Sequence, residues 1–197
     1  MFRRLSEDIT FLLIKNKILD IESREIYLYA VEVIVLNASI LAANFFISIF
    51  TDELVHFWGL ILFFIPLRVF VGGYHCNRSE SCLILSVGVY ILTILLVKYE
   101  KNICVNSISF IATFIAGIVI MIYAPFINKN HPLEEYQIQR NRKIVYGLIA
   151  IDFALGAVFW KYNFPILSSE VVFIVLVAIT LIAGRVKEKF NAVRGGI

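Results

Sequence analysis

Six apolar runs, at about residues 26–50, 54–71, 79–97, 103–127, 144–160 and 165–184, constrain this chain more than any other feature. Each approaches or exceeds the roughly 20 residues that an α-helix needs to cross a bilayer. The connections between them are short, and hydrophobic residues make up 60% of the 197 positions, with a mean hydropathy of +0.84. A water-soluble core does not absorb that much apolar surface. The alternating pattern of a transmembrane barrel is absent. The fold class expected is therefore an all-α polytopic membrane protein with six transmembrane helices.

The placement of basic residues gives an orientation, because cytoplasmic segments carry the excess of Lys and Arg. With the N-terminus inside, 15 of the 18 basic residues fall in inside segments, and only Lys98, Lys101 and Lys161 fall outside. Adding or dropping one span spoils this split. Both termini are therefore expected in the cytosol, as is the polar segment 68–82.

Residues 1–25 set Phe2, Leu5, Ile9, Leu12, Leu13, Ile18 and Ile21 at roughly helical spacing among Arg3, Arg4, Lys15, Lys17 and Arg24. That pattern fits an amphipathic N-terminal helix lying in the membrane interface, or one packed on the protein's own cytosolic face. The segment lacks an apolar stretch followed by a cleavage site, so it does not read as a signal peptide. One membrane domain over residues 1–197 is expected, comprising the N-terminal helix (1–25), a six-span bundle (26–184) and a cytosolic tail (185–197).

Several spans carry groups that a bilayer penalises: Glu32, Asn37 and Asn44 in the first, Arg68 near the inner end of the second, Asp152 in the fifth and Glu170 near the outer end of the sixth. Ionisable side chains at such depth face a partner or a water-filled cavity and are functional candidates. Glu32, Arg68 and Asp152 are expected at one depth, in the cytosolic third. A structural ion pair of Arg68 with Glu32 or Asp152 would account for them equally well.

A proline-bounded loop from Ala124-Pro125 to Pro132-Leu133 leads to the basic run Arg140, Arg142 and Lys143. Positive-inside anchoring explains that run more simply than ligand binding does. The net charge of +3 gives no reason to expect a nucleic-acid partner. Three cysteines without a CxxC spacing argue against a disulfide framework. No Walker-type loop, HExxH or GxSxG is present, and no cofactor is expected.

The polar island Arg68-Val-Phe-Val-Gly-Gly-Tyr-His-Cys-Asn-Arg-Ser-Glu-Ser-Cys82 holds one of three histidines and two of three cysteines. On one continuous helix His75 and Cys82 would be separated by about 10.5 Å of rise, so a working pair requires the chain to fold back. Gly72-Gly73 allows a sharp bend, and Asn77 or Ser79 can cap the helix that follows, with Glu80 completing a capping box. Cys82 would then sit in the first turns of a helix, where aligned N–H groups favour a nucleophilic thiolate. His75 could take the thiol proton and return one to a leaving amine. A buried cysteine is also often only a small apolar side chain. Cys76 is a competing nucleophile outside the helix. A metal site from His75, Cys76 and Cys82 would lack a fourth ligand, so no metal is expected. Cys104 falls at the outer face, and His56 and His131 read as interfacial or loop residues.

Arg68, then Gly72-Gly73-Tyr74-His75, then Cys82, in a six-span chain of this length, resembles the accessory gene regulator B family. The Pro125 to Pro132 loop is similar to that family's cytosolic loop. Members are membrane-embedded cysteine endopeptidases of Gram-positive bacteria that process the precursor of a quorum-sensing peptide. The resemblance implies Cys82 as nucleophile and His75 as base, with Arg68, Gly72 and Gly73 as supporting positions. Glu32, Glu80 and Asp152 are candidates for a third member. Cys76 departs from the pattern, where a small or neutral residue is expected.

The resemblance also implies a small amphipathic propeptide of the AgrD type as substrate, the membrane lipid as surroundings and a homodimer as assembly. Cys82 would release the propeptide's C-terminal tail and hold the remainder as a thioester, which an internal Cys or Ser closes into a thiolactone or lactone. The basic run Arg140, Arg142 and Lys143 is the candidate contact for an acidic tail. The protein would be a multi-pass protein of the cell membrane with its active site facing the cytosol. The alternative function is a non-catalytic transporter of a peptide or small molecule, suggested by the polar residues within the spans.

Overall fold

The structure is a computed structural model, and it describes residues 2–74, 79–99, 107–126 and 134–194. Every regular element among the described residues is helical. Seven helices follow in order: α1 (Phe2–Lys15), α2 (Arg24–Thr51), α3 (Leu54–Val71), α4 (Ser79–Tyr99), α5 (Ser107–Tyr123), α6 (Glu135–Lys161) and α7 (Ile166–Arg194). Five of them, α2, α3, α4, α6 and α7, are long and apolar enough to cross a membrane. The fourth expected span corresponds to α5, whose apolar helical stretch is shorter, while residues 100–106 and 127–133 on either side lie outside the described residues.

Length is where the sequence pattern and the helices differ. The fifth run covers residues 144–160, yet α6 is 27 residues long, because its helix begins in the polar segment before the run. Glu134 caps that start, with Gln137 completing a capping box, so the helical hydrogen-bond ladder does not need the apolar run to begin. The expected tail is likewise an extension of helix: α7 continues to Arg194, well past the last apolar run. At the other end of the chain the single segment 1–25 divides. α1 stops at Lys15, Lys17 takes a positive φ of 57°, and a 3₁₀ turn at Ile21–Ser23 leads into α2.

The chain folds as two compact units. The first comprises residues 1–51 and 76–91. In it α1 packs along α2 with its small polar side chains inward: Ser6 and Thr10 are fully buried, while Leu5, Phe11 and Leu12 are exposed. α1 therefore packs on α2 through small polar side chains and turns an apolar face away from it. α2 has the same inverted character, with Asn44 and Ser48 buried and Ile26, Ile34, Phe46 and Phe50 exposed. In hydrocarbon, apolar side chains gain nothing by hiding, and polar groups need partners. Ser48 finds one in the Tyr90 hydroxyl at 2.6 Å.

The second unit comprises residues 52–75 and 92–197. Its core is built from Leu67 and Val71 of α3, Ile120 of α5, Val145 of α6 and Ile174 and Leu181 of α7. In α3 a π-turn at Leu60–Phe64 precedes Pro66. A proline inside a helix removes one backbone donor and crowds the preceding turn, and a widened turn relieves that crowding. Glycines let the helices approach closely. A Cβ at Gly59 would lie 2.5 Å from the Ser169 Cβ, and one at Gly117 would lie 2.9 Å from the Phe153 ring.

Candidate functional site

α3 ends where the island begins. Gly72, with φ 74°, closes the helix, its N–H bonded to the Arg68 carbonyl at 3.0 Å, and Gly73 follows at φ 134°. Both conformations lie in the region that side chains disfavour. The Arg68 guanidinium reaches forward over this bend and donates to the Gly72 and Tyr74 carbonyls. Arg68, Gly72 and Gly73 are thus brought together in one turn. The turn is held on both sides: Phe126 donates its backbone N–H to the Val71 carbonyl at 2.8 Å, and Tyr74 donates its own to the Thr180 carbonyl of α7 at 2.8 Å. The Lys187 ammonium lies 4.7 Å from the Tyr74 ring centroid, within cation–π range.

The other half of the island belongs to the first unit. α4 begins at Ser79, and Cys82 lies in its first turn, half-buried and unbonded to another sulfur. The Ser79 hydroxyl donates to Glu32 Oε1 at 2.7 Å, tying the start of the Cys82 helix to α2. Ser79 and Cys82 are three residues apart, so they share a helix face. His75, Cys76, Asn77 and Arg78 lie outside the described residues, as do Cys104 and His131.

Asp152 departs from the depth expected of it. A Cβ at Gly156, one turn beyond Asp152 on α6, would collide with the Glu170 carboxyl, and the Asp152 and Glu170 carboxyls are close enough to interact electrostatically. Both side chains are buried, at 4% and 3% exposure, and among the described residues Asp152 Oδ2 and Glu170 Oε2 have no hydrogen-bond partner. The Arg68 turn instead meets α7 at Thr180, ten residues from Glu170, or about 15 Å along the helix. Asp152 therefore lies closer to the level of Glu170 than its expected place beside Arg68.

His56, near the start of α3, is held inside the helix packing. It is 4% exposed, with Nδ1 hydrogen-bonded to the Ser169 hydroxyl at 2.5 Å and Nε2 3.2 Å from Glu53 Oε2. The sequence carried one signal for this: the Gly59 that lets α3 approach Ser169 lies one turn after His56.

The basic run begins α6. Arg142 Nε donates to the Ala124 carbonyl at 3.4 Å, just beyond the end of α5, while Arg140 is exposed with its guanidinium 5.9 Å from the Tyr136 ring centroid. Lys143 is exposed as well. Arg185 of α7 makes a contact like that of Arg142, donating to the Tyr123 carbonyl at 2.5 Å with its guanidinium over the Tyr123 ring. Cations suit the carbonyl end of a helix.

These helices define a multi-pass α-helical membrane protein, with a glycine turn clamped by an arginine and, a few residues further along the chain, a helix that opens with a cysteine. The family model for accessory gene regulator B matches residues 6–181, and the chain belongs to that family. Membership places the protein in the processing of the quorum-sensing propeptide. No curated protein and no solved structure matches the chain.

Proposed function

We propose that this protein is a cysteine endopeptidase that cuts the C-terminal tail from an AgrD-like propeptide and promotes closure of a thiolactone or lactone ring. The observation that carries the reading is the place of Cys82 in the first turn of α4, anchored through Ser79 to Glu32. The first four N–H groups of a helix lack intrahelical acceptors, and that end favours negative charge. A nucleophile there meets donors for the charge that develops as it attacks.

In the proposed reaction His75 accepts the Cys82 thiol proton, and the sulfur attacks the scissile carbonyl carbon. The C–N bond breaks, the tail's amine leaves with the proton from His75, and the acyl group remains on Cys82 as a thioester. An internal Cys or Ser of the propeptide then attacks the thioester carbonyl. The bond to the Cys82 sulfur breaks, the ring closes, and the attacking group's proton returns to the enzyme. Thioester exchange to a thiolactone conserves the bond type, so no nucleotide is consumed. Exclusion of water keeps hydrolysis from yielding a linear peptide.

Arg68, Gly72 and Gly73 support this site by fixing the turn that precedes His75, and Glu32 by fixing the start of α4. Arg140, Arg142 and Lys143 face the acidic tail. The chain crosses the membrane six times, with both termini and the site in the cytosol, and works as a homodimer. The buried carboxyls of Asp152 and Glu170 favour the alternative of a transporter. The deciding experiment is thioester trapping. Enzyme incubated with propeptide and then denatured should carry a hydroxylamine-labile adduct on Cys82, lost in Cys82→Ala and kept in Cys76→Ala. An adduct on Cys76 moves the nucleophile to that residue, full processing by Cys82→Ala overturns the Cys82 mechanism, and absence of both adduct and tail release in the wild type overturns the peptidase reading in favour of transport.

A further inference from the structure

Gly184 lies within α7, where a glycine weakens a helix relative to alanine. Its surroundings explain why no side chain stands there. A Cβ at this position would lie 2.9 Å from Tyr74 N, 3.0 Å from Gly73 C and 3.3 Å from Phe126 Cε2. The first two are backbone atoms, which cannot swing aside as a side-chain tip can. The turn is also held from its far side, where Phe126 N–H bonds to the Val71 carbonyl at 2.8 Å. The absence of a side chain at 184 is what lets Tyr74 N–H reach the Thr180 carbonyl one turn earlier on α7, at 2.8 Å. Gly73 completes the contact from its own side, since a Cβ there would lie 3.0 Å from the Thr180 carbonyl oxygen.

We infer that Gly184, together with the main-chain carbonyl of Thr180, is a positioning element for the peptidase step: it sets the backbone turn Gly72–Tyr74 that leads directly into His75. The inference rests on the reading of His75 as the general base. α7 touches no reacting atom in this scheme. It acts through the turn, since a side chain at 184 displaces Gly73 and Tyr74, to which His75 is covalently joined. A displacement of the order of 1 Å at a reacting group costs about 10²-fold in rate.

The test measures tail release from an AgrD-like propeptide carrying a C-terminal epitope tag, in membrane vesicles containing the full chain. Gly184→Ala should lower kcat about 10-fold and Gly184→Leu about 100-fold, with KM nearly unchanged. Gly147→Ala, the same change on α6 where no atom lies within 4 Å of the added Cβ, should leave kcat as it was. The readout that a merely structural spacer would not move is coupling. In a His75→Ala background Gly184→Leu should cost less than about twofold more, because the group it misplaces is already gone. Additive losses in the double variant overturn the inference, and so does wild-type kcat in Gly184→Leu while His75→Ala is impaired, which leaves the peptidase reading standing. Wild-type kcat in His75→Ala overturns that reading and the inference with it. Where Gly184→Leu is recovered only as aggregate, Gly184→Ala alone and in the His75→Ala background decides by the same criteria.

Discussion

The Ser79 hydroxyl donates a 2.7 Å hydrogen bond to Glu32 Oε1, so the first turn of the Cys82 helix is fastened to the first long apolar helix of the chain. This gives a role to a carboxylate that the bilayer would otherwise penalise. Removing the donor leaves Glu32 without its serine, while removing both partners leaves no uncompensated charge. Ser79→Ala should cost about 1 kcal/mol of stability and lower the rate of tail release. Glu32→Gln should lose less than Glu32→Ala, because an amide oxygen still accepts from Ser79. Thermal unfolding in detergent and tail release, measured on all three variants, check the order.

Cysteine and histidine should divide the chemistry unequally. A hydroxyl beside a single histidine is a much poorer nucleophile than a thiol, so Cys82→Ser should abolish tail release. His75→Ala removes only proton transfer and should cost about 10²- to 10⁴-fold. Cys76→Ser should leave release largely intact. Time courses of tail release for the three variants make the comparison, and loss of activity in Cys76→Ser with retention in Cys82→Ser would reverse the assignment.

The apolar runs are legible as helices because a run near bilayer thickness admits few alternatives, and the family is legible in the spacing of Arg68, Gly72-Gly73, His75 and Cys82. Helix ends are less legible. α6 starts at a capping box and α7 runs on as far as Arg194, both outside the apolar runs, because backbone hydrogen bonding and not hydropathy carries a helix beyond its apolar stretch. Depth is the least legible property. Counting residues from the ends of runs puts Asp152 beside Arg68, whereas the close approach at Gly156 sets it beside Glu170. The contact of Gly73 and Tyr74 with Thr180 and Gly184 joins residues more than 100 positions apart, and no local pattern announces it.

The distribution of basic residues motivates a topology prediction. A thiol introduced at position 78 in an otherwise cysteine-free chain should resist a membrane-impermeant maleimide added to intact cells and react once the membrane is opened. One at position 101 should react in intact cells. Labelling of position 78 from outside would overturn the cytosolic placement of the site and of both termini.

The basic run should separate into two roles. All three cations are exposed, but Arg142 alone of them donates to the Ala124 carbonyl among the described contacts, so its loss removes a tether at the end of α5. Arg140→Gln with Lys143→Gln should weaken propeptide binding in a salt-dependent way, by at most about 1 kcal/mol per charge. Arg142→Gln should lower thermal stability more than binding. Binding by the double variant that matches wild type at low salt would return Arg140 and Lys143 to a purely topological role.

The approach of Glu170 to Gly156 makes the last prediction. A Cβ at position 156 would overlap Glu170 Oε1 and lie 2.9 Å from its Cδ, so Gly156→Ala forces either the carboxylate or the two helices apart. Overpacking of this kind costs about 1 to 3 kcal/mol. Glu170→Ala by itself vacates the space but leaves Asp152 buried without its neighbour. If steric conflict with the carboxylate is the whole cost of Gly156→Ala, then adding Glu170→Ala should recover most of it, and the two changes should be strongly non-additive. Glu170→Gln keeps the volume and should give no such relief. Denaturation midpoints for the single and double variants decide the matter, and a Gly156→Ala penalty that persists in the Glu170→Ala background would show that the close contact between α6 and α7 at this level is made by backbone and not by the buried carboxyl.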